Sequence, residues 1–206
     1  MAMNRKLFSA IFVILSGSLF ILLVAVLNGS TEQFDQALRS WALAQNTLTS
    51  VAIWVDVSFL GSIAVISGAT ALSLLVFAFV RNWRAFRGLA IAMIGATVLD
   101  TSLKWLVHRP RPEEVYTHTL PSSFSFPSGH ALFSFTFCFA LATLTARQQK
   151  RLERKVIWIV AMITTALIGA SRIFLGVHYG SDVLGGYLIG ATWLIFLVAL
   201  DSLSAA

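Results

Sequence analysis

The stretch LFSAIFVILSGSLFILLVAVL, residues Leu7 to Leu27, indicates the fold class because it is an unbroken apolar run without a charged residue. A hydrocarbon core of roughly 30 Å is crossed by about 20 apolar residues in an α-helix. Val57 to Val80 forms a second run of this kind. Of the 206 residues, 57% are hydrophobic and 12% are charged, a balance outside the range of ordinary soluble domains. The sequence therefore predicts an all-α integral membrane protein.

Four further apolar stretches complete a prediction of six transmembrane helices. They cover residues 88–107, 128–146, 156–176 and 182–200. Two of them contain charged residues, which mark a functional site by default because an unpaired charge in lipid is costly. No repeat, linker or long loop divides the chain, so we expect a single transmembrane domain over residues 1–206.

Basic residues set the expected orientation. Ten of the fifteen lysines and arginines lie before the first span, between the second and third, or between the fourth and fifth. The positive-inside rule places such loops in the cytoplasm, so both termini are predicted to be cytoplasmic. This topology explains the net charge of +6 without a nucleic-acid partner. A signal peptide is the alternative interpretation of the first span, but its apolar run exceeds the usual length of about 7–15 residues.

The segment from Ser30 to Ser50 is polar, with apolar residues at helical spacing. Asn28-Gly29 ends the preceding helix, and Ser30 with Gln33 has the spacing of a capping box. The pattern predicts a short amphipathic helix between the first two spans, lying along the outer membrane interface. Its apolar positions are Phe34, Leu38, Trp41 and Leu48.

Three short segments, residues 104–112, 127–130 and 171–182, carry polar residues that an apolar chain seldom keeps. If the helices alternate, the first segment ends the third span, the second starts the fourth, and the last joins the fifth to the sixth. All three then face the side opposite to the cytoplasm. The residues expected to converge there are Lys104, Arg111, Ser128, Gly129, His130, Arg172, His178 and Asp182.

The cations in these segments suit phosphoryl chemistry. Arg111 and Arg172 can offer forked donors to phosphate oxygens, and Lys104 a point charge. The turn at Ser128 and Gly129 presents backbone N–H groups and the favourable end of a helix dipole. A side chain at Gly129 would hold that backbone away from the anion. The pattern predicts an oxyanion cradle that works without a metal ion.

The two histidines allow two catalytic roles. A neutral histidine can attack phosphorus when a carboxylate bonded to its far nitrogen fixes the tautomer. His178, with Asp182 four residues later, has the spacing for this pair. A second, protonated histidine is needed to give a proton to the leaving alkoxide, and His130 beside the cradle is the candidate.

The pattern Lys-x6-Arg-Pro, Pro-Ser-Gly-His and Ser-Arg-x5-His-x3-Asp resembles that of the type 2 phosphatidic acid phosphatases, a superfamily that also includes vanadium-dependent haloperoxidases. The six-span layout is similar to the bacterial phosphatidylglycerophosphatase B and undecaprenyl pyrophosphate phosphatase members across nearly the whole chain. The resemblance implies that His178, assisted by Asp182, forms a phosphohistidine and that His130 protonates the leaving group. It implies phosphate binding by the residues Lys104, Arg111, Ser128, Gly129 and Arg172.

The resemblance implies a lipid phosphatase in a bacterial inner or plasma membrane, with its active site on the periplasmic or extracellular face. Phosphatidylglycerophosphate and undecaprenyl pyrophosphate are the leading substrates, with phosphatidic acid next. We expect no metal, no other cofactor and no obligate protein partner besides membrane lipids. A non-enzymatic lipid or anion carrier is the alternative function, but it would not need a histidine paired with a carboxylate. Six spans and no large soluble domain argue against a haloperoxidase.

The other polar residues are interpreted as structural or surface residues without a catalytic role. Family spacing selects Arg111, so Arg109 is interpreted as a loop or headgroup contact. Asp100 lies four residues before Lys104, which predicts a structural ion pair rather than catalysis. Cys138 is interpreted as a small apolar side chain in the fourth helix. The residues expected at the surface are His108, Glu113, Glu114 and His118.

Overall fold

The computed structural model describes residues 5–113, 123–146 and 149–204, in which every regular element is a helix. In chain order they are α1 (Arg5–Leu27), α2 (Glu32–Ala44), α3 (Leu48–Leu60), α4 (Ile63–Phe79), α5 (Trp83–Val107), α6 (Gly129–Ala146), α7 (Arg151–Phe174) and α8 (Gly180–Ser204). The all-α prediction is confirmed for this part of the chain.

Five stretches are long and apolar enough to cross a membrane: Lys6–Leu27, Leu48–Phe79, Trp83–Val107, Arg151–Phe174 and Gly180–Leu200. Helix α6 is apolar but shorter, over Gly129–Thr145. At 1.5 Å per residue it is about 26 Å long, near the lower limit for crossing a core of roughly 30 Å. The described residues therefore contain five to six candidate spans.

The start of α2 differs from the predicted capping box. The N-cap is Thr31, whose side chain makes no capping hydrogen bond. The backbone N–H and the hydroxyl of Ser30 instead donate to Asn28 Oδ1, at 3.0 and 2.6 Å. The predicted capping box of Ser30 with Gln33 is wrong because Thr31 is the N-cap, and because the Ser30 N–H, from which the Gln33 side chain would have accepted, donates to Asn28.

The predicted amphipathic segment is divided between two helices, since α2 ends at Ala44 and α3 begins at Leu48. Thr47 and Ser50 form a reciprocal cap, in which Thr47 Oγ1 accepts from the Ser50 N–H at 3.1 Å and Ser50 Oγ accepts from the Thr47 N–H at 2.8 Å. Asn46 Nδ2 donates to the carbonyl of Phe174 at 2.8 Å. The cap starts the second span at Leu48, nine residues earlier than predicted. The turn before the cap contacts the end of α7 through Asn46.

This second span is interrupted at Gly61 and Ser62, between α3 and α4. The hydroxyl of Ser62 accepts from the Val65 N–H at 3.3 Å and so caps α4. A Cβ on Gly61 would approach Ile168 of α7 and would lie 3.1 Å from His130 Cδ2. The interruption therefore lies against the start of α6, where one of the predicted catalytic residues is located.

Helix α6 is central in the bundle and packs against α5, α7 and α8. Its Leu132 is fully buried in a cluster with Ala96 of α5 and Ile189 of α8. A Cβ on Gly186 of α8 would lie 2.8 Å from the Ser128 carbonyl oxygen and 3.0 Å from the Leu132 nitrogen. Close approach of the two backbones, typical of small residues between membrane helices, fixes the position of the segment that starts α6.

Candidate active site

The first cation of the site comes from the last turn of α5. Lys104 Nζ lies 2.5 Å from Asp100 Oδ1, so the predicted ion pair forms. His108 ends the helix in the left-handed conformation, with φ of 51°, and its N–H donates to the Lys104 carbonyl at 3.0 Å. Its ring contacts Phe124 at 4.4 Å between centroids. This turn directs the following arginines back toward the bundle.

The turn that starts α6 lies directly against this ion pair. A Cβ on Gly129 would lie 3.3 Å from Asp100 Oδ1 and 3.4 Å from Lys104 Nζ. The Ser128 N–H donates to the Asp182 carbonyl at 3.0 Å, and among the described residues the buried Ser128 hydroxyl has no hydrogen-bond partner. The first N–H groups of a helix lack intrahelical partners, so the start of α6 presents donors beside Lys104.

The loop between α7 and α8 holds the predicted nucleophile. The Arg172 carbonyl accepts from the N–H groups of Val177 and His178, at 3.1 and 3.3 Å. Gly176, with φ of 70°, provides the left-handed turn that this arrangement requires. The N–H of Tyr179 donates to Asp182 Oδ2 at 2.9 Å. The end of α7 and the first turn of α8 thus fix both partners of the histidine–aspartate pair.

His178 and Asp182 face each other in a fully buried site. Nδ1 of His178 lies 3.4 Å from Asp182 Oδ2, and Ser125 Oγ donates to the same oxygen at 2.5 Å. On the other side of the ring, Nε2 lies 3.0 Å from Arg111 Nη1. Because an arginine can only donate, Nε2 accepts this bond and the ring proton is assigned to Nδ1. The tautomer is the one that a nucleophile attacking through Nε2 requires.

The electrostatic surroundings keep His178 neutral. Burial lowers its pKa from 6.5 to about 4, with Asp182 opposing this shift and the charges of Arg111 and Arg172 adding to it. Burial also lowers the pKa of Arg111, which Asp182 and Asp100 offset only in part. The carboxylates near Arg111 therefore do not fully compensate its buried positive charge, as expected for a site that binds an anion.

Arg111 is held by groups on both sides of its guanidinium. Nε donates to the Ser123 carbonyl at 2.8 Å, and Nη2 to the Ser123 hydroxyl at 3.1 Å. Nη1 donates to the Val177 carbonyl at 2.9 Å as well as facing His178. These contacts direct one edge of the guanidinium at Nε2 of His178.

The second arginine of the site, Arg172, is anchored by a residue that the sequence pattern did not single out. Its Nη1 donates to the hydroxyl of Ser58 in α3. Both residues are buried, and the Arg172 Nε has no partner among the described residues. A buried donor without a partner is costly unless a ligand satisfies it. Arg172 is thus fixed at one end and has a free donor at the other.

His130 lies in the first turn of α6, partly buried beside Gly61. The charges of Arg172, Arg111 and Lys104 all act on its imidazole, as does His178. The structure therefore gathers all eight predicted site residues at one end of the bundle, where α5 and α7 end and α6 and α8 begin. Ser125 and Ser58 join them and were missed, because neither lies in a motif.

Arg109 lies in the loop after α5, but its side chain contacts two buried carboxylates and not the loop or headgroup partners that the sequence suggested. Its Nη1 donates to Asp182 Oδ1 and its Nη2 to Asp35 Oδ2, each at 2.7 Å. Burial alone would lower the pKa of Arg109, but Asp182 and Asp35 raise it above its ordinary value. The earlier interpretation is wrong because Asp35, on α2, provides a buried partner that could not be foreseen. Unlike Arg111, Arg109 is fully compensated by carboxylates.

Two other polar residues near the motifs lie at the surface. His108 and Glu113 are exposed, as predicted, while Glu114 and His118 lie outside the described residues. Cys138 is partly buried in α6. Among the described residues, no three His, Cys, Asp or Glu side chains are grouped so that they could hold a metal ion.

The helices and the cluster together define a multi-pass membrane protein with a buried group of histidines, cations and a carboxylate at one end of its bundle. Residues 85–204 match the PAP2 superfamily, and the chain belongs to that family. A crystal structure of a transmembrane PAP2-type phosphatidylglycerolphosphate phosphatase from Bacillus subtilis has the same fold. The TM-score is 0.81 over 93% of this chain and 96% of that chain, at 24% identity.

Two relatives are similar in sequence. Phosphatidylglycerophosphatase B of Bacillus subtilis (strain 168) is 31% identical over 189 residues, which cover 86% of this chain and 88% of that protein. Undecaprenyl-diphosphatase of Sulfolobus acidocaldarius is 32% identical over 114 residues, covering 53% of this chain and 51% of that protein. These matches confirm the predicted family and enzyme class, a hydrolase of lipid phosphoric esters.

Proposed function

We propose that the protein removes the terminal phosphate from a membrane lipid through a phosphohistidine on His178, without a metal ion. Phosphatidylglycerophosphate and undecaprenyl pyrophosphate are the leading substrates, and phosphatidic acid follows. The observation that carries the proposal is the pairing of His178, whose Nε2 accepts from Arg111 at 3.0 Å while Nδ1 faces Asp182. The activities for which the two relatives are named support the substrate class.

Phosphate binding uses the cations around Nε2. Arg111 and the Nε of Arg172 donate to the equatorial oxygens of the phosphate, and Lys104 adds a point charge. The buried Ser128 hydroxyl and the N–H groups at the Gly129 turn donate to the same oxygens. The site binds the phosphate because its positive charge exceeds what its carboxylates balance.

In the first chemical step, the lone pair on His178 Nε2 attacks phosphorus and the bond from phosphorus to the lipid oxygen breaks. His130 gives its proton to that oxygen, so no negative charge is left on the departing oxygen. Positive charge develops on the His178 ring and is stabilised by Asp182 across the Nδ1 side. In the second step, water attacks phosphorus, its proton passes to His130, and the bond from phosphorus to Nε2 breaks. Inorganic phosphate leaves and both histidines return to their starting states.

The site is proposed to face the periplasm or the extracellular space. It lies where α5 and α7 end, whereas basic residues cluster at the other ends of these helices, from Arg81 to Arg87 and from Lys150 to Lys155. The positive-inside rule places those ends in the cytoplasm of a bacterial cell. Both termini are then cytoplasmic, α2 lies at the outer interface, and α6 completes six spans.

Phosphate release by the detergent-solubilised protein tests the activity and ranks the substrates. We expect turnover of at least one of the three lipids in the presence of EDTA. His178→Ala should reduce it by at least roughly three orders of magnitude, since it removes the nucleophile. The matched control His108→Asn, at an exposed left-handed position that asparagine accepts, should retain activity. Full activity in His178→Ala, or activity only with added divalent metal, would contradict the mechanism. A carrier would keep its transport in His178→Ala.

Labelling in intact cells tests the face. In a background with Cys138→Ser, we expect Glu113→Cys to react with a membrane-impermeant maleimide in spheroplasts, because Glu113 is exposed near the site. Arg154→Cys, exposed at the opposite end, should react only after permeabilisation. The reverse pattern would place the active site in the cytoplasm.

A further inference from the structure

A single guanidinium, that of Arg109, lies between two buried carboxylates from distant parts of the chain. Nη1 lies 2.7 Å from Asp182 Oδ1 and Nη2 lies 2.7 Å from Asp35 Oδ2. The side chains of both aspartates are 0% exposed and that of Arg109 is 13% exposed. Asp35 also accepts from the Ser181 N–H at 2.8 Å and from its hydroxyl at 2.6 Å. Helix α2 is thereby joined to the first turn of α8.

The two oxygens of Asp182 are used for different purposes. Oδ1 accepts from Arg109, whereas Oδ2 accepts from Ser125 and the Tyr179 N–H and faces His178. The Arg109 guanidinium therefore fixes the rotation of the carboxylate and leaves Oδ2 directed at the imidazole. The Arg109 guanidinium also lies 4.2 Å over the Tyr179 ring, which restricts its own orientation.

From this chain of contacts we infer that Asp35 and Arg109 are positioning residues for the His178–Asp182 pair. Arg109 orients Asp182, and Asp35 balances the charge of Arg109. The inference rests on the proposed function, in which His178 is the nucleophile. Neither Arg109 nor Asp35 is among the predicted site residues of the three signature segments. Asp35 lies on α2, 69 residues before Lys104, the nearest of them.

Charge alternation explains why Asp35 matters to the chemical step. With His178 neutral, the chain of Asp182, Arg109 and Asp35 carries one net negative charge. When His178 attacks phosphorus it gains positive charge, and the chain of four groups becomes neutral. Without Asp35, the uncompensated Arg109 would compete with His178 for the charge of Asp182, in a buried site where such interactions are weakly screened. The loss should therefore appear in kcat rather than in substrate binding.

A purely structural tether between α2 and α8 would lower stability but not turnover per folded molecule. We therefore propose to measure kcat, KM and thermal stability of Asp35→Asn in detergent with the best lipid substrate. The expected fall in kcat is about 10- to 100-fold, by analogy with the loss seen when the hydrogen-bond partners of metal-ligating side chains are removed. KM should change by less than about threefold. The matched control Asp56→Asn, at an exposed position of α3, should behave as the original protein.

Variants of Arg109 separate orientation from folding. A cavity of about 180 Å³, lined in part by Arg109, Asp35 and Thr31, gives access to the guanidinium. Added guanidinium should therefore restore part of kcat, in a saturable manner, to Arg109→Ala but not to His178→Ala. Arg109→Lys should keep more activity than Arg109→Ala. Because Asp35 acts through Arg109, adding Asp35→Asn to Arg109→Ala should cause no further loss.

Unchanged kcat in Asp35→Asn would overturn the inference, as would a loss fully explained by less folded protein. So would an Arg109→Lys variant that folds but is no more active than Arg109→Ala. These results leave the proposed function intact provided that His178→Ala is inactive in the same assay. Full activity in His178→Ala would instead refute the proposed function and the inference with it.

Discussion

Replacement of Ser58 by alanine tests whether α3 helps to bind the phosphate. The Ser58 hydroxyl accepts from Arg172 Nη1, and the two residues are only 5% and 6% exposed. A hydrogen bond to a charged group contributes about 1.5–3 kcal/mol. Since each 1.4 kcal/mol corresponds to about a factor of ten, Ser58→Ala should lower kcat/KM by roughly 10- to 150-fold.

The loss should appear as weaker binding, because Ser58 holds Arg172, which is proposed to bind the phosphate and not to transfer a proton. The assay is phosphate release as a function of lipid concentration, together with inhibition by vanadate as a phosphate mimic. The matched control is Ser73→Ala in α4, whose hydroxyl donates to the Ala69 carbonyl of its own helix at 2.8 Å. It should leave both constants unchanged.

The reasoning would be refuted if Ser58→Ala folded normally and kept kcat/KM and vanadate inhibition within about twofold of the original values. That result would mean that Arg172 keeps its position without the hydroxyl. A fall in kcat at constant KM and constant vanadate affinity would equally contradict it, because it would assign Ser58 to the chemical step.

Three further predictions concern residues in contact with the phosphate position. Gly129→Ala should displace Lys104 or Asp100, because the added Cβ would lie 3.4 Å from Lys104 Nζ and 3.3 Å from Asp100 Oδ1. The KM for lipid should rise by about tenfold. An unchanged KM would be inconsistent with a tight turn at this position. Burial lowers the pKa of His178 from 6.5 to about 4, so the ring is neutral above that pH. The acid limb of the pH profile of kcat/KM, corrected for ionisation of the substrate, should therefore lie near pH 4. An acid limb near pH 6.5 that reports this residue would contradict the prediction. Arg111→Lys cannot reproduce the fork, and phosphate-release kinetics should show a fall in kcat/KM of roughly 10- to 100-fold; equal activity would mean that charge alone suffices.

The apolar spans could be predicted from sequence wherever an uninterrupted run ends at a strong signal. The first span was predicted from Leu7 to Leu27 and α1 covers Arg5–Leu27, because Asn28-Gly29 stops the helix. The second span was misplaced at its start because Asp56 interrupts the charge-free run, which therefore begins at Val57. The helix instead starts at Leu48, and its first three residues were assigned to the preceding amphipathic segment.

The site residues within motifs could be predicted because fixed spacing along a helix or turn carries their geometry. The partners outside the motifs could not. Asp35 and Arg109 meet across 74 positions of the chain, and Ser58 and Arg172 across 114. Such pairings depend on how α2 and α3 pack against the bundle, which no local pattern reports. Ser125 was near a motif, but its role depends on the turn that folds it onto Asp182.

The interruption between α3 and α4 affects how family members should be sorted into active and inactive proteins. Two contacts at or just before it, Ser58 of α3 with Arg172 and Gly61 against His130, would support the proposed phosphate binding and leaving-group protonation, yet neither residue belongs to a signature segment. A homologue with every signature residue but a bulky side chain at the position of Gly61 would pass a motif search and still be expected to lack activity. Assignment of function within the family therefore requires a check of this helix break as well as of the motifs.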